Sequence, residues 1–252
     1  MAYAHGKFVW FEHVSHDVSG ARRFYDTLFG WKSDGVPVGG GTYHMIMSGA
    51  DGIGGYRQAM PGVPNHWMGY LSVSDVDATA VRAQGAGARL LMPPTDFGPA
   101  GRAATLADPT GGVFSIWKGA EGDRPEAPQV AIGDWTWNEL MTTDADAALA
   151  FYESVFGYTR QPWDMGEKGI YYVLQHGDKP RAGLMATPKP ESGSFWIPYV
   201  AVTACDAIAT SAQGLGAEVV LPPTDIPDVG RIAVFLDPMR APLGILQAES
   251  RA

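Results

Sequence analysis

Gly85-Ala-Gly-Ala-Arg-Leu-Leu-Met-Pro-Pro-Thr-Asp96 is answered 129 residues later by Gly214-Leu-Gly-Ala-Glu-Val-Val-Leu-Pro-Pro-Thr-Asp225. Extended both ways, the match carries Trp67 to Lys118 onto Trp196 to Gln247 without a gap. About two in five of the paired positions are identical, far more than unrelated segments share. Upstream, Trp10, Glu12, Asp17, Phe24, Tyr25, Phe29 and Gly30 recur as Trp137, Glu139, Asp144, Phe151, Tyr152, Phe156 and Gly157. The chain is a tandem duplication, and what both copies keep or lack guides its functional reading.

Each copy divides again. Phe8 to His16 alternates like a strand, Ser19 to Leu28 has helical spacing closed by Gly30, and short strands follow. The pattern restarts with a strand over Trp67 to Val73 and a helix over Asp75 to Gln84, then strands over Ala88 to Met92, Ala103 to Ala107 and Val113 to Trp117. The second copy predicts strands over Trp135 to Thr142, Tyr171 to Gln175, Ile197 to Val202, Val219 to Leu221, Ile232 to Leu236 and Gly244 to Gln247. Its helices fall at Ala145 to Val155 and Asp206 to Gln213. Four strand-helix-strands units imply an α+β fold, with mixed sheets curved around clefts and helices outside. The expected boundaries are one domain over 1–118 (units about 7–60 and 66–118), a Gly, Pro and charge-rich linker over 119–130, and a second domain over 131–252 (units about 134–187 and 195–247).

With 252 residues and 46% hydrophobic content, two domains can each bury a core. A net charge of −9 argues against nucleic acid or an anionic membrane as partner, since either selects a basic surface. Cys205 is the single cysteine, and its apolar setting predicts a buried small residue, not a reactive thiol. No run of apolar residues is long enough to span a bilayer, and the opening Met1-Ala-Tyr-Ala-His-Gly lacks the features of a secretion signal, so the expected compartment is the cytoplasm and the expected state a monomer or homodimer.

Asp17 and Arg23-Phe-Tyr-Asp-Thr-Leu-Phe-Gly-Trp31, with Ala150-Phe-Tyr-Glu-Ser-Val-Phe-Gly-Tyr158, resemble the first helix of the vicinal oxygen chelate superfamily of glyoxalases, bleomycin resistance proteins and extradiol dioxygenases. Gly85-Ala-Gly-Ala88 and Leu106-Ala-Asp-Pro-Thr-Gly-Gly112 resemble its later landmarks, and Trp137-Asn-Glu-Leu140 is similar to openings in its two-domain actinobacterial branch, often labelled antigens or hydroxylases. The resemblance implies four βαβββ units in two tandem domains. In the family's metal enzymes, ligands come from the first strand, from the first strand of the second unit, and from the last strand. The matching positions here are Trp10 and Trp137, Met68 and Ile197, and Ser115 and Gly244. Such a set cannot hold a divalent cation, so neither a metal nor another cofactor is expected. A slip of the alignment would offer His13, His44 or His66, but these pair with Leu140, Tyr172 and Phe195, and His13 points away from the face of Glu12.

Glu12 and Glu139 share a strand face with Trp10 and Trp137, and both copies keep a Gly-Arg at Arg102 and Arg231. A carboxylate among aromatics needs a cation, so Glu12 is expected to pair with Arg102 and Glu139 with Arg231, as a structural ion pair or in a ligand-anchoring or acid-base role. Trp10, Tyr43, Trp67 and Tyr70, with Trp137, Tyr171, Trp196 and Tyr199, are candidate stacking surfaces for a flat apolar ligand, joined by His44 and His66; core packing is the alternative for each ring. Pro93-Pro-Thr-Asp96 and Pro222-Pro-Thr-Asp225 are expected as rigid turns. His16, His44, His66, Asp34, Asp164 and His176 have no match in the other copy, as either specificity residues or surface drift would give. Gly52-Ile-Gly-Gly55 lacks the lysine and helix of a phosphate loop. The expectation is metal-independent binding of an apolar aromatic or polyketide-like small molecule. The alternatives are a hydroxylase, isomerase or lyase using Glu12 or Glu139, and a metal-dependent glyoxalase or dioxygenase.

Overall fold

A computed structural model describes residues 2–38 and 41–249. The first quarter of the chain carries β1 (Phe8–Ser15), α1 (Val18–Phe29), β2 (Lys32–Val38), β3 (Gly41–Ser48) and β4 (Asp51–Gln58). The second carries β5 (His66–Ser72), α2 (Val76–Gly85), β6 (Arg89–Asp96), β7 (Gly101–Ala107) and β8 (Val113–Gly119). The third has β9 (Trp135–Thr142), α3 (Ala145–Phe156), β10 (Thr159–Asp164), β11 (Ile170–His176) and β12 (Lys179–Ala186). The fourth has β13 (Phe195–Ala201), α4 (Cys205–Gly214), β14 (Glu218–Ile226), β15 (Gly230–Leu236) and β16 (Pro242–Ala248). These are the four βαβββ units expected from sequence. They form two mixed eight-stranded sheets of identical order, β2-β3-β4-β1-β5-β8-β7-β6 and β10-β11-β12-β9-β13-β16-β15-β14. No helix among the described residues is long and apolar enough to cross a membrane.

Local chemistry sets the elements. The Asp17 side chain accepts from Gly20 N at 2.8 Å to cap α1, Gly30 ends it at φ 69°, and Ala21, Phe24, Tyr25 and Leu28 form its buried stripe. Asp144 and Gly157 repeat both caps on α3. The Pro-Pro-Thr-Asp segments differ from expectation. They are not free turns but the ends of β6 and β14, where the register slips twice along each strand. Both strands lie at sheet edges, where a proline's missing N–H costs no ladder bond.

Compact units do not follow the two copies. One unit comprises the segment ending at Trp10, Met68–Glu126 and Trp137–Trp196, and so is built mainly from the two inner quarters. The other comprises Phe11–Trp67, Ala127–Thr136 and the chain from Ile197 onward, mainly the two outer quarters. In the inner-quarters unit, Tyr152 donates to Asp108 at 2.8 Å while the other oxygen of Asp108 ties down Thr110 N and Gly112 N. Phe114, Phe151 and Phe156 pack around it. In the outer-quarters unit, Tyr25 donates to Asp237 at 2.9 Å, and Asp237 holds Met239 N and Ala241 N in the same way. His13 adds a second contact to that carboxylate, its Nε2 lying 2.7 Å from Asp237 Oδ2 with both side chains wholly buried. Burial first, and then the neighbouring aspartate, pushes both phenols well above their usual range, so each stays a hydrogen-bond donor. The duplicated Phe-Tyr and Asp-Pro landmarks are therefore two halves of one buried bond.

Candidate functional site

Strand register builds the site. In the outer-quarters unit Glu12 on β1 lies beside Gly55 on β4, and Tyr43 reaches over from β3. A Cβ at Gly55 would stand 1.9 Å from the Tyr43 hydroxyl, so only glycine leaves room for that ring. The hydroxyl donates to Glu12 at 2.8 Å, and Arg57 Nε lies 3.1 Å from the other carboxylate oxygen. Glu12 is 8% exposed, and these bonds offset its desolvation. The inner-quarters unit repeats the arrangement with Gly183 beside Glu139 and Tyr171 lying over the glycine, where a Cβ would meet its hydroxyl at 1.8 Å. Trp137 Nε1 donates to the Tyr171 hydroxyl at 2.8 Å, and Tyr171 bonds Glu139. Burial and then the Glu139 charge hold the Tyr171 phenol well above its usual range. Each copy thus presents a tyrosine–glutamate pair with the tyrosine protonated and the carboxylate accepting.

The expected partners of these carboxylates are corrected. Arg102 forks onto Asp77 with two 2.8 Å bonds and meets Asp96 at 3.1 Å. Arg231 likewise takes Asp206 and Asp225. Arg102 faces Asp96 directly across the β6–β7 ladder, and Arg231 faces Asp225 across β14–β15, so the nearer acids win. Neither arginine serves Glu12 or Glu139.

The aromatic set divides. Trp10, Tyr43, Trp137 and Tyr171 are half-buried. Trp67 is corrected to the core: it is 2% exposed, donates to the Tyr25 hydroxyl at 3.0 Å, and packs 5.0 Å from Trp135. Trp196 is likewise core, 5.6 Å from Tyr152 and 4.9 Å from Phe8. The physical reason is strand period: Trp67 and Tyr70 are three residues apart, as are Trp196 and Tyr199, so the two rings of each pair face opposite sides. Tyr70 is buried edge-on to Trp117, and Tyr199 lies over Gly244. His44 turns away from Tyr43 and meets Arg22 at 3.4 Å; burial and then Arg22 lower its pKa. His66 donates Nδ1–H to Pro64 O at 2.8 Å, which leaves its buried Nε2 as a lone-pair site, and burial lowers its pKa also. Arg57 was not foreseen. Its counterpart is Met185, so duplication gave no signal, although the alternation of β4 places it beside Glu12.

The family's usual metal positions do not fit a cation. Met68 and Ile197 are buried apolar side chains, and Ser115 is bonded to Thr105 at 2.9 Å. Among the described residues no group of three His, Cys, Asp or Glu converges as a metal would require. Cys205 is buried, and burial raises its thiol pKa to about 11, as an inert packing residue should behave.

The fold and paired sites define a class. A model of the glyoxalase-like domain matches residues 10–117, and one described as the glyoxalase/bleomycin resistance protein/dioxygenase superfamily matches residues 134–242. The chain belongs to this superfamily. Among its relatives is a putative glyoxylase, CFP32, of Mycobacterium bovis, 36% identical over 97% of this chain and 96% of the relative. The anthracycline biosynthesis protein DnrV of Streptomyces peucetius is 32% identical over 97% of this chain and 94% of its own length. The Mn(II)-bound glyoxalase from Novosphingobium aromaticivorans shares the fold with a TM-score of 0.67 at 17% identity, covering 96% of this chain and 82% of that one. The 2,3-dioxygenase LapB from Pseudomonas sp. KL28 does so at 0.64 and 13%, covering 98% and 92%.

Proposed function

We propose that this protein binds a flat, apolar aromatic or polyketide-like metabolite without a metal, using its two tyrosine–glutamate pairs to meet the ligand's polar oxygens. The observation that carries this reading is the duplicated Tyr-over-Gly pair, Tyr43/Gly55/Glu12 and Tyr171/Gly183/Glu139, kept in both copies. Each tyrosine's one proton is committed to its glutamate, so the carboxylate it orients, which keeps further lone pairs, accepts from a ligand hydroxyl, while half-buried Trp10 and Trp137 offer stacking area. A full-length relative named for anthracycline biosynthesis supports a polyketide-like ligand. Titrating a planar hydroxyanthraquinone against intrinsic tryptophan fluorescence tests the proposal. Saturable quenching is expected, weakened about tenfold by Tyr171→Phe, the worth of one buried hydrogen bond. Absence of saturable quenching by planar polyketides overturns it.

A second reading, an isomerase, lyase or hydroxylase, is favoured by one feature: a protonated tyrosine held against a buried carboxylate is an acid-base pair. Product formation abolished by Glu12→Gln or Glu139→Gln would select it over binding alone.

A further inference from the structure

His16 has no counterpart in the other copy and lies far in sequence from the residues it meets. It lines a groove of about 640 Å³ in the outer-quarters unit, between the start of α1 and the Pro238-Met239 turn. The groove is built rather than accidental. Asn65 accepts from His16 N at 2.8 Å and donates to Met239 O at 2.7 Å, so one amide clasps both walls. His16 Nε2 donates to Val63 O at 2.8 Å, which leaves Nδ1 as an acceptor. Arg23 lines the groove as well; its side chain is exposed, and no carboxylate pairs with it among the described residues. In a chain of net charge −9, the one acid among the groove's lining residues, Asp17, is occupied in capping α1.

Comparison of the copies separates scaffold from furnishing. Asp17, Phe24 and Pro238 recur as Asp144, Phe151 and Pro109, which the fold itself requires. His16, Arg23, Asn65, Leu215 and Met239 stand where the other copy has Thr143, Ala150, Ser194, Ala86 and Thr110. Five wall positions of the outer-quarters unit, three from the first copy and two from the second, thus carry groups larger, charged or richer in hydrogen bonds than their counterparts, while three framework positions are the same.

We propose that this groove is a second binding site, separate from the tyrosine–glutamate pairs, for an organic acid with an apolar body. Arg23 takes the carboxylate; Phe24, Leu215 and Met239 cover the apolar part; His16 Nδ1 accepts from a ligand hydroxyl. The volume lies within the roughly 300–1,000 Å³ range of small-molecule sites. An unpaired guanidinium beside apolar surface favours an anion over a neutral molecule, because a charge-assisted bond is about twice as strong as a neutral one.

Isothermal titration with β-naphthoate and with β-naphthamide, its neutral isostere, tests the assignment. The expected result is saturable binding of the acid, about tenfold weaker binding of the amide, and loss of that preference in Arg23→Ala, which installs the other copy's residue. Met239→Thr should weaken both probes alike, and Glu12→Gln should leave naphthoate binding as it is. No saturable naphthoate binding, equal affinity for acid and amide, or an Arg23→Ala protein that keeps its preference would each overturn the proposal. Melting curves confirm that the exposed Arg23→Ala variant is folded.

Discussion

Gly55→Ala is the smallest change that should dismantle the first tyrosine–glutamate pair. The added Cβ would sit 1.9 Å from the Tyr43 hydroxyl oxygen, 2.2 Å from Cζ and 2.8 Å from Cε1, all below any tolerable contact. Because three atoms of a stiff ring are struck, a small rotation of the tip does not relieve the clash, and the ring must swing off the strand. The 2.8 Å bond to Glu12 is then lost while Glu12 stays buried beside Arg57. Losing a hydrogen bond to a buried carboxylate costs about 1.5–3 kcal/mol. For a chain of this size that lowers Tm by roughly 3–12 °C. Scanning calorimetry of Gly55→Ala, Tyr43→Phe and the double variant measures it. Tyr43→Phe removes the hydroxyl without adding a clash, so the double variant should be less destabilised than the sum of the singles, by about the energy of the shared bond. A Gly55→Ala protein as stable as the parent, or strictly additive effects, would refute the idea that this glycine exists to seat Tyr43.

Three further outcomes follow from the same geometry. Asp108→Ala and Asp237→Ala should each destabilise by about 3–5 kcal/mol in urea unfolding, since each strands a buried phenol and two backbone N–H groups; a loss below about 1 kcal/mol contradicts their role as core fasteners. His5, His44 and His66 have pKa values lowered from 6.5, chiefly by burial, so the unfolded chain takes up protons first as pH falls. Their contribution is therefore complete above about pH 6.5 and drains away below it, so Tm should drop as pH falls below about 6.5, less steeply in His66→Phe; a flat profile is the contrary result. Treatment with a chelator should leave Tm and anthraquinone quenching unchanged, and elemental analysis giving one bound divalent ion per copy would contradict the donor set at Trp10, Met68 and Ser115.

Much of the architecture was written in the duplicated text. The caps at Asp17, Gly30, Asp144 and Gly157 and the alternation of the strands mark all four helices and eleven of the sixteen strands among the described residues, because each depends on neighbours a few residues away; β2 to β4 had no ranges, and β10 and β12 were missed. The site was only half legible. Glu12, Glu139, Tyr43 and Tyr171 stand out because both copies keep them, yet their link runs through the glycine beneath each ring, which only register reveals. The supposed Glu12–Arg102 pair failed although its correction was also duplicated: Asp77 and Asp96 recur as Asp206 and Asp225. Arg57 and His13 have apolar counterparts in Met185 and Leu140, so repetition was silent about both. The association of first with last quarter could not be read at all, because the helices and strands of all four quarters carry similar apolar faces.

Each compact unit borrows one quarter from either side of the duplication. A copy by itself holds only part of each unit, so both units need the two copies together in one polypeptide. Proteolysis in the Glu126–Ala127 stretch should consequently yield fragments that stay associated and, once parted by denaturant, regain native structure only when remixed.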